Sequence, residues 1–257
     1  MHPFAAPHTV RLIRAPLAAA LNLAMRRGII DRNVAAIAEI PRIRPHDPRY
    51  LTPDQVQDFL PALGGERLGT LFAVTLLLAL RPSEAIGLRW QDVDFDARTV
   101  TIAQTVQREG GEYVALRPKT DRSARTMPLA VEVAALLRLH RVAQLEEVGR
   151  CELVFTNRNG APVHSPQANR RLSVILERAG LPHLAFEELR HTGATLLLAR
   201  GHPLEVVQEW LGHTSILTTR RYAAFLLATA ERAAGGKAAQ VTPERMREAA
   251  HTIDGGK

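Results

Sequence analysis

The segment WLGHTSILTTRRYAAF holds a histidine and, nine residues later, a tyrosine that directly follows two arginines. Tyr222 is one of three tyrosines in the 257-residue chain. Its phenol could act as a nucleophile, with Arg220 and Arg221 placing positive charge beside it. Gly212 is typical of a helix C-terminus, which would leave His213 just beyond that helix. A packed aromatic side chain is the alternative interpretation of Tyr222 when this segment is taken alone.

Lysine is nearly absent from the chain. The 33 basic residues include only three lysines, and Lys119 is the only one before Lys237. Arginine keeps its proton in proteins, whereas the lysine pKa of about 10.4 can be lowered by the environment. A proton donor to a leaving oxygen therefore has to be lysine rather than arginine. Chance retention of one lysine is the alternative interpretation.

Two further groups of charged residues lie in helical patterns. Arg81 stands where a very apolar segment ends, three residues before Glu84, and an arginine in such surroundings needs a partner. Glu187, Arg190 and His191 have the spacing i, i+3, i+4, which places them on one helix face. An Arg81–Glu84 ion pair and a surface salt bridge are the alternatives to a functional site.

The composition predicts a globular protein with an anionic partner. The chain is 46% hydrophobic and 23% charged, which suffices for a buried core. Its net charge of +7 favours a polyanion, and guanidinium groups bind phosphate bidentately. A GC-rich genome would also raise the arginine content, but it does not explain the sign of the net charge.

Several classes of protein and site are not indicated. There is no uncharged apolar run of about 18 residues and no secretory signal, so we expect no membrane span. Cys151 is the single cysteine, which fits the reducing cytoplasm. The ten histidines form no motif for metal binding, and we expect neither a metal nor a cofactor.

The elements that must position these residues are mostly helical. Helical spacing covers 8–34, and the proline-rich segment 41–53 reads as a linker. Thr52 is a good N-cap for the next helix. An apolar helix then lies within GERLGTLFAVTLLLALRPSEAIGLRW, strands are expected in RTVTIAQ, EYVALRP and ARTMPL, and helices follow from about residue 130.

The predicted fold is mainly α, a helical domain with a small antiparallel β-sheet. The domain boundaries that we expect are a small helical unit at 1–45, a linker at 46–53, the main domain at 54–235 and a polar tail at 236–257.

The four groups of residues together resemble the tyrosine recombinase (phage integrase) family. The matching pieces are LALRPSEAIGLRW, RPKTDRSARTMPL, ELRHTGAT and LGHTSILTTRRYAAF, in the order of the family and at roughly its spacing. The resemblance spans about residues 50–230. Residues 8–45 resemble the second half of the family's core-binding (SAM-like) domain, so this domain looks truncated.

This resemblance implies site-specific DNA recombination through a 3′-phosphotyrosyl intermediate. Tyr222 would attack a DNA phosphodiester and release a 5′-hydroxyl. Arg81 and Arg190 would bind the non-bridging oxygens, Lys119 would protonate the leaving 5′-oxygen, and His213 would hydrogen-bond the phosphate. The intermediate keeps the energy of the phosphoester bond, so neither ATP nor a metal is needed.

The resemblance also implies supporting residues and partners. Glu84 would hold active-site side chains in place, and His191 matches a mostly structural histidine of the family. The partner would be double-stranded DNA, bound by a homotetramer in the cytoplasm. Accessory DNA-bending or directionality factors would be further partners.

Glu187 departs from the family pattern, which has histidine three residues before Arg190. Two unit negative charges about 4 Å apart repel by roughly 4 kcal/mol at an effective dielectric constant of 20. That is about three orders of magnitude in rate if it falls wholly on the transition state. Glu187 could pair with Arg190 or His191, or exchange a proton with Tyr222 if its pKa is raised.

Two classes of function follow from these observations. One is a DNA strand transferase, whose activity Glu187 would impair. The other is a DNA-binding protein on the same fold with little or no strand transfer, a regulator or a remnant of a mobile element. The type IB topoisomerases share this chemistry, but the segment from Gly212 to Tyr222 favours recombinases.

Overall fold

The computed structural model describes residues 7–39, 49–116 and 124–212. The chain divides into two compact units, Met1–Asp47 and Pro48–Lys257. Three of the predicted site residues lie outside the described residues: Lys119, His213 and Tyr222.

In the first unit, the predicted helical stretch divides into two helices. α1 spans Pro7–Arg26 and α2 spans Val34–Ile37. The chain leaves the helix at Gly28, whose φ of 67° is accessible to glycine at little cost. Asn33 is buried and caps α2 by accepting a hydrogen bond from the Ala36 N–H at 3.1 Å.

The second unit begins with three helices. α3 spans Pro53–Ala62, α4 spans Gly69–Leu77 and α5 spans Pro82–Ile86. The prediction of Thr52 as N-cap is confirmed, because its hydroxyl accepts a hydrogen bond from the Gln55 N–H at 3.3 Å.

The strands form two antiparallel sheets in the described residues. The strands are β1 (Val93–Asp94), β2 (Thr99–Ile102), β3 (Thr105–Glu109), β4 (Glu112–Leu116) and β5 (Arg125–Pro128). One sheet has the order β1-β2-β5 and the other is the β3–β4 hairpin. The sequence indicated three strands; β1 and β3 were missed, because β1 has only two residues and the residues TVQRE of β3 are mostly polar.

Four further helices complete the described part of the second unit. They are α6 (Val131–Glu147), α7 (Ser165–Arg178), α8 (Phe186–Ala199) and α9 (Leu204–Leu211). The predicted C-terminal glycine of α9 is confirmed, since Gly212 is left-handed with φ 60°.

The core of the second unit lies around α4 and α8. α4 is almost entirely buried, as its apolar sequence predicts. α8 packs closely on α4 at Gly193, where an added Cβ would lie 2.1 Å from the Leu76 carbonyl oxygen. This close approach brings Arg190 of α8 to the C-terminal end of α4.

Candidate active site

The centre of the candidate site is the buried carboxylate of Glu84, which is 2% exposed. Three arginine side chains approach it from three elements. Arg81 NH1 lies 2.8 Å from Oε1, Arg125 NH2 lies 2.9 Å from Oε2, and Arg190 NH1 lies 3.5 Å from Oε2. A buried carboxylate requires such partners, because an unpaired charge is costly to desolvate.

The turn between α4 and α5 fixes the position of Arg81. α4 ends at Leu77, and two residues later Ala79 has a left-handed φ of 49°, which is uncommon for a residue with a Cβ. Pro82 then begins α5, and Glu84 Oε2 accepts a hydrogen bond from the Arg81 N–H at 2.9 Å. The ion pair that the sequence left open as an alternative is present, and the Arg81 side chain remains 36% exposed.

Arg190 is buried, with 2% exposure. Its NH1 donates to the Ala79 carbonyl at 3.0 Å, and its NH2 donates to the Leu211 carbonyl at 2.6 Å. The guanidinium therefore joins the end of α4 to the end of α9. The left-handed turn at Ala79 turns that carbonyl toward Arg190.

Arg125 was not predicted as a site residue. Its side chain is 5% exposed and binds Glu84 through both NH1 and NH2, at 3.1 and 2.9 Å. Strand alternation could have indicated it: Arg125 shares the inward face of β5 with the buried Met127. An arginine on the buried face of a strand needs a buried partner such as a carboxylate.

The arginines set the charge state of Glu84. Burial alone would raise the pKa of its carboxyl. The hydrogen bonds and charge of Arg125, the charge of Arg190 and the N–H of Arg81 outweigh this and lower the pKa to about 2. Glu84 is therefore ionised at every pH at which the protein would work.

Glu187 titrates in the opposite direction. Surrounding protein partly desolvates the carboxyl and raises its pKa, although the residue as a whole is exposed. The charges of Arg190 and Arg81 oppose this rise, and the charge of Glu84 adds to it. Glu187 forms no ion pair with any residue in the described ranges, so the pairing with Arg190 or His191, which the sequence left open as one alternative, is not seen there.

His191 lies on α8 beside Arg190 and is half-buried. Burial and the positive charge of Arg190 lower its pKa, against the opposing charge of Glu188. Its imidazole is therefore mainly neutral at pH 7, which fits a structural role more than a charged contact with phosphate.

An open cleft of about 490 Å³ adjoins Arg81 and Glu187. Its walls include the β3–β4 hairpin and the start of α7, and they carry polar side chains: Ser83, Gln107, Arg108, Tyr113, His164, Ser165 and Asn169. Gln104 Nε2 donates to the Gly87 carbonyl at 2.9 Å, which ties the hairpin to the end of α5. The cleft is thus anchored to the same turn that carries Arg81.

Other features of the described chain do not indicate a different site. A larger cleft of about 1160 Å³ is lined largely by apolar residues such as Leu63, Leu136 and Leu197, and it contains none of the predicted site residues. Across 7–39, 49–116 and 124–212, no group of three or more His, Cys, Asp or Glu residues could hold a metal ion. The helices in these ranges are too short or too polar to cross a membrane.

Similar proteins are found by sequence and by structure. Residues 49–227 match the model of the phage integrase family. A tyrosine recombinase XerC-like protein of Caldanaerobacter subterraneus subsp. tengcongensis is 34% identical over 185 residues, covering 65% of this chain and 47% of the relative. The tyrosine recombinase XerD of Mycobacterium leprae is 30% identical over 222 residues, covering 78% and 64%. The chain thus spans between about half and two thirds of these curated relatives.

The fold is also that of a solved integrase. The Tn1549 transposon integrase, in complex with a circular intermediate DNA, superposes with a TM-score of 0.76 at 22% identity. The match covers 90% of this chain and 80% of that protein. The predicted mainly α fold with its small antiparallel sheet is confirmed, and the family model extends over most of the second unit. This chain is a member of the phage integrase family.

Proposed function

We propose that this protein cleaves and rejoins DNA strands at specific sites, through a covalent bond between Tyr222 and a 3′-phosphate. The phenol oxygen attacks the phosphorus, the bond from phosphorus to the 5′-oxygen breaks, and Lys119 gives that oxygen its proton. A 5′-hydroxyl of a second strand then attacks the phosphotyrosine and releases Tyr222. The reaction conserves the number of phosphoester bonds and needs no external energy.

The observation that carries this proposal is the convergence of Arg81 and Arg190 on one buried carboxylate. The two residues are far apart in sequence, yet both contact Glu84. Two oriented guanidinium groups suit the two non-bridging oxygens of a phosphate, whose negative charge grows in the transition state.

The buried state of Arg190 adds a requirement to this proposal. Its guanidinium is closed to solvent and does not line the cleft, so contact with a phosphate requires the groups around Arg190 to rearrange when DNA binds. Arg81 is the more accessible of the two, and it lines the cleft together with Arg108. Arg81 therefore makes the first contact with the phosphate.

Glu187 supports a second candidate function, a DNA-binding protein with little strand transfer. Among the five described side chains Arg81, Arg125, Arg190, Glu84 and Glu187, three guanidinium charges against two carboxylates leave a net charge of +1. Protonation of Glu187 raises this to +2. An ionised Glu187 thus weakens the attraction for a phosphodiester, while the overall charge of +7 still favours DNA.

A covalent trapping assay separates the two functions. The protein is incubated with nicked duplexes that carry the DNA flanking its own gene, and the products are run on a denaturing gel. Strand transfer predicts a protein–DNA adduct with the wild type and none with Tyr222→Phe. Binding in a native gel without any adduct would support the DNA-binding alternative.

The matched control is Tyr113→Phe, because Tyr113 lines the same cleft as Arg81. This variant is expected to form the adduct as the wild type does. An adduct that is lost in Tyr113→Phe and retained in Tyr222→Phe would show that Tyr222 is not the nucleophile and would refute the proposed mechanism.

A further inference from the structure

Arg125 links three separate elements around the proposed site. It begins β5, in the sheet formed with β1 and β2. Its NH1 and NH2 bind the two oxygens of Glu84, and its Nε donates to the Trp210 carbonyl at 2.5 Å. One side chain thus ties the sheet to α5 and to the last turn of α9.

The carbonyls at the end of α9 are held by two arginines of this cluster. The last carbonyl groups of a helix have no partner within the helix and carry partial negative charge. Arg125 binds the carbonyl of Trp210 and Arg190 binds the carbonyl of Leu211. Gly212 then leaves the helix in the left-handed conformation. The exit of the chain from α9 is therefore fixed by groups that also surround Glu84.

We propose that Arg125 is a positioning residue that locks the end of α9 against the cluster of Arg81, Glu84 and Arg190. The Arg125 side chain is only 5% exposed and does not line the cleft beside Arg81, so we assign its role to the contacts with Glu84 and Trp210. The proposal rests on the proposed strand transfer for its effect on rate. Its effect on α9 does not depend on that activity.

The first experiment measures strand cleavage and DNA affinity of Arg125→Met and Arg125→Lys. The methionine variant is expected to lower the single-turnover rate of adduct formation by at least about 10-fold, while the Kd for DNA changes by less than about 3-fold. The lysine variant keeps the charge but cannot form the planar fork, so we expect it to recover only part of the rate. All rates are compared well below the melting temperature of each variant.

Arg67→Met is the matched control. Arg67 makes the same kinds of contact, to both oxygens of Glu147 at 2.8 and 2.9 Å and to the Thr156 carbonyl at 2.8 Å, and none of these residues lines the cleft. It is expected to lower the melting temperature without changing the rate. An equal loss of rate in Arg67→Met, or a wild-type rate in Arg125→Met, would overturn the proposal.

Hydrogen exchange tests the same proposal without DNA. The peptide that covers Leu204–Gly212 is expected to exchange faster in Arg125→Met than in the wild type, and to be unchanged in Arg67→Met. Faster exchange in a protein that forms no adduct would refute the strand-transfer function but retain the role of Arg125 in holding α9. Unchanged exchange at α9 would refute that role even if the wild type cleaves DNA.

Discussion

Two carboxylates near the same arginines have opposite properties. Glu84 is buried, contacts three guanidinium groups, and has a pKa lowered to about 2. Glu187 is more exposed, has no ion pair in the described ranges, and has a raised pKa. The comparison shows that direct contacts with guanidinium groups keep Glu84 ionised, because they outweigh the burial that alone would raise its pKa. Glu187 lacks such contacts in the described ranges, so desolvation raises its pKa.

The two carboxylates therefore have different uses. Glu84 is a permanent anion that holds Arg81, Arg125 and Arg190 in place. Glu187 can change its charge, and with it the net charge at the proposed phosphate site. The predictions below test this division of roles.

The largest effect is expected for Glu84→Gln. The amide is neutral, so the buried Arg125 and Arg190 lose their counter-charge, and breaking a buried pair in this way costs about 3–5 kcal/mol. Urea unfolding measures the loss. Glu146→Gln, on the exposed face of α6, is the control and should change the free energy of unfolding by less than about 0.5 kcal/mol. If Glu84→Gln lost no more free energy of unfolding than this control, Glu84 would not be the counter-charge that holds the buried arginines.

The pH dependence of stability is expected to be nearly as large. The pKa of Glu84 is lowered when the protein folds, so its contribution is present above the unfolded pKa of 4.5 and is lost as the pH falls toward about 2. The shift corresponds to about 3 kcal/mol. The unfolding free energy of the wild type minus that of Glu84→Gln should therefore become smaller as the pH falls across this range. A difference that stays constant from pH 5 to pH 2 would show that Glu84 titrates normally.

A smaller effect is expected for Gly193→Ala. The added Cβ would lie 2.1 Å from the Leu76 carbonyl oxygen, so α8 must move away from α4. Overpacking of this kind costs about 1–3 kcal/mol and would draw Arg190 away from Ala79 and Glu84. Gly180→Ala gives the contrasting case, because its strain comes from a left-handed φ of 66° and an added Cβ there has no neighbour within 4 Å. A Gly193→Ala variant as stable as the wild type would show that the close approach of α8 is unimportant.

The smallest effect on stability, but a clear one on rate, is expected for Glu187→Gln. The raised pKa means that the ionised carboxyl disfavours the folded state above 4.5, so the variant should be slightly more stable at pH 7. Adduct formation should be faster than in the wild type above the pKa of Glu187 and should approach the wild-type rate below it.

Glu187→His gives the complementary test. It should raise the yield of phosphotyrosine on a nicked substrate, because it replaces a negative charge near the phosphate by a hydrogen-bond donor. A lower yield in both Glu187 variants would mean that the carboxyl itself takes part in the reaction, and an unchanged yield would contradict the inhibitory role of its charge.

The sequence predicted the elements of the fold better than the contacts of the site. The apolar run of α4, the Thr52 cap and the glycine after α9 follow from local chemistry, and each is confirmed. The placement of Arg81 beside Glu84 also followed from their spacing. Local spacing could not predict that Arg125 reaches Glu84, because the two residues are 41 positions apart and meet only through the packing of β5.

Burial was the second property that the sequence did not predict. The i, i+3, i+4 spacing placed Glu187 and Arg190 on one face of α8. In the structure Arg190 is closed to solvent, with contacts to Ala79, Glu84 and Leu211, whereas Glu187 is exposed. The roles of Lys119, His213 and Tyr222 remain predictions from the sequence.

The most direct test of the site replaces one non-bridging oxygen of the scissile phosphate by a methyl group, which removes its negative charge. If Arg81 neutralises that charge, Arg81→Ala should be slower than the wild type by about 100-fold on the phosphodiester and should regain most of this loss on the methylphosphonate. Arg108→Ala, in the same cleft, should respond equally to the two substrates. An Arg81→Ala variant that is equally slow on both would contradict the phosphate-binding role and, with it, the proposed active site.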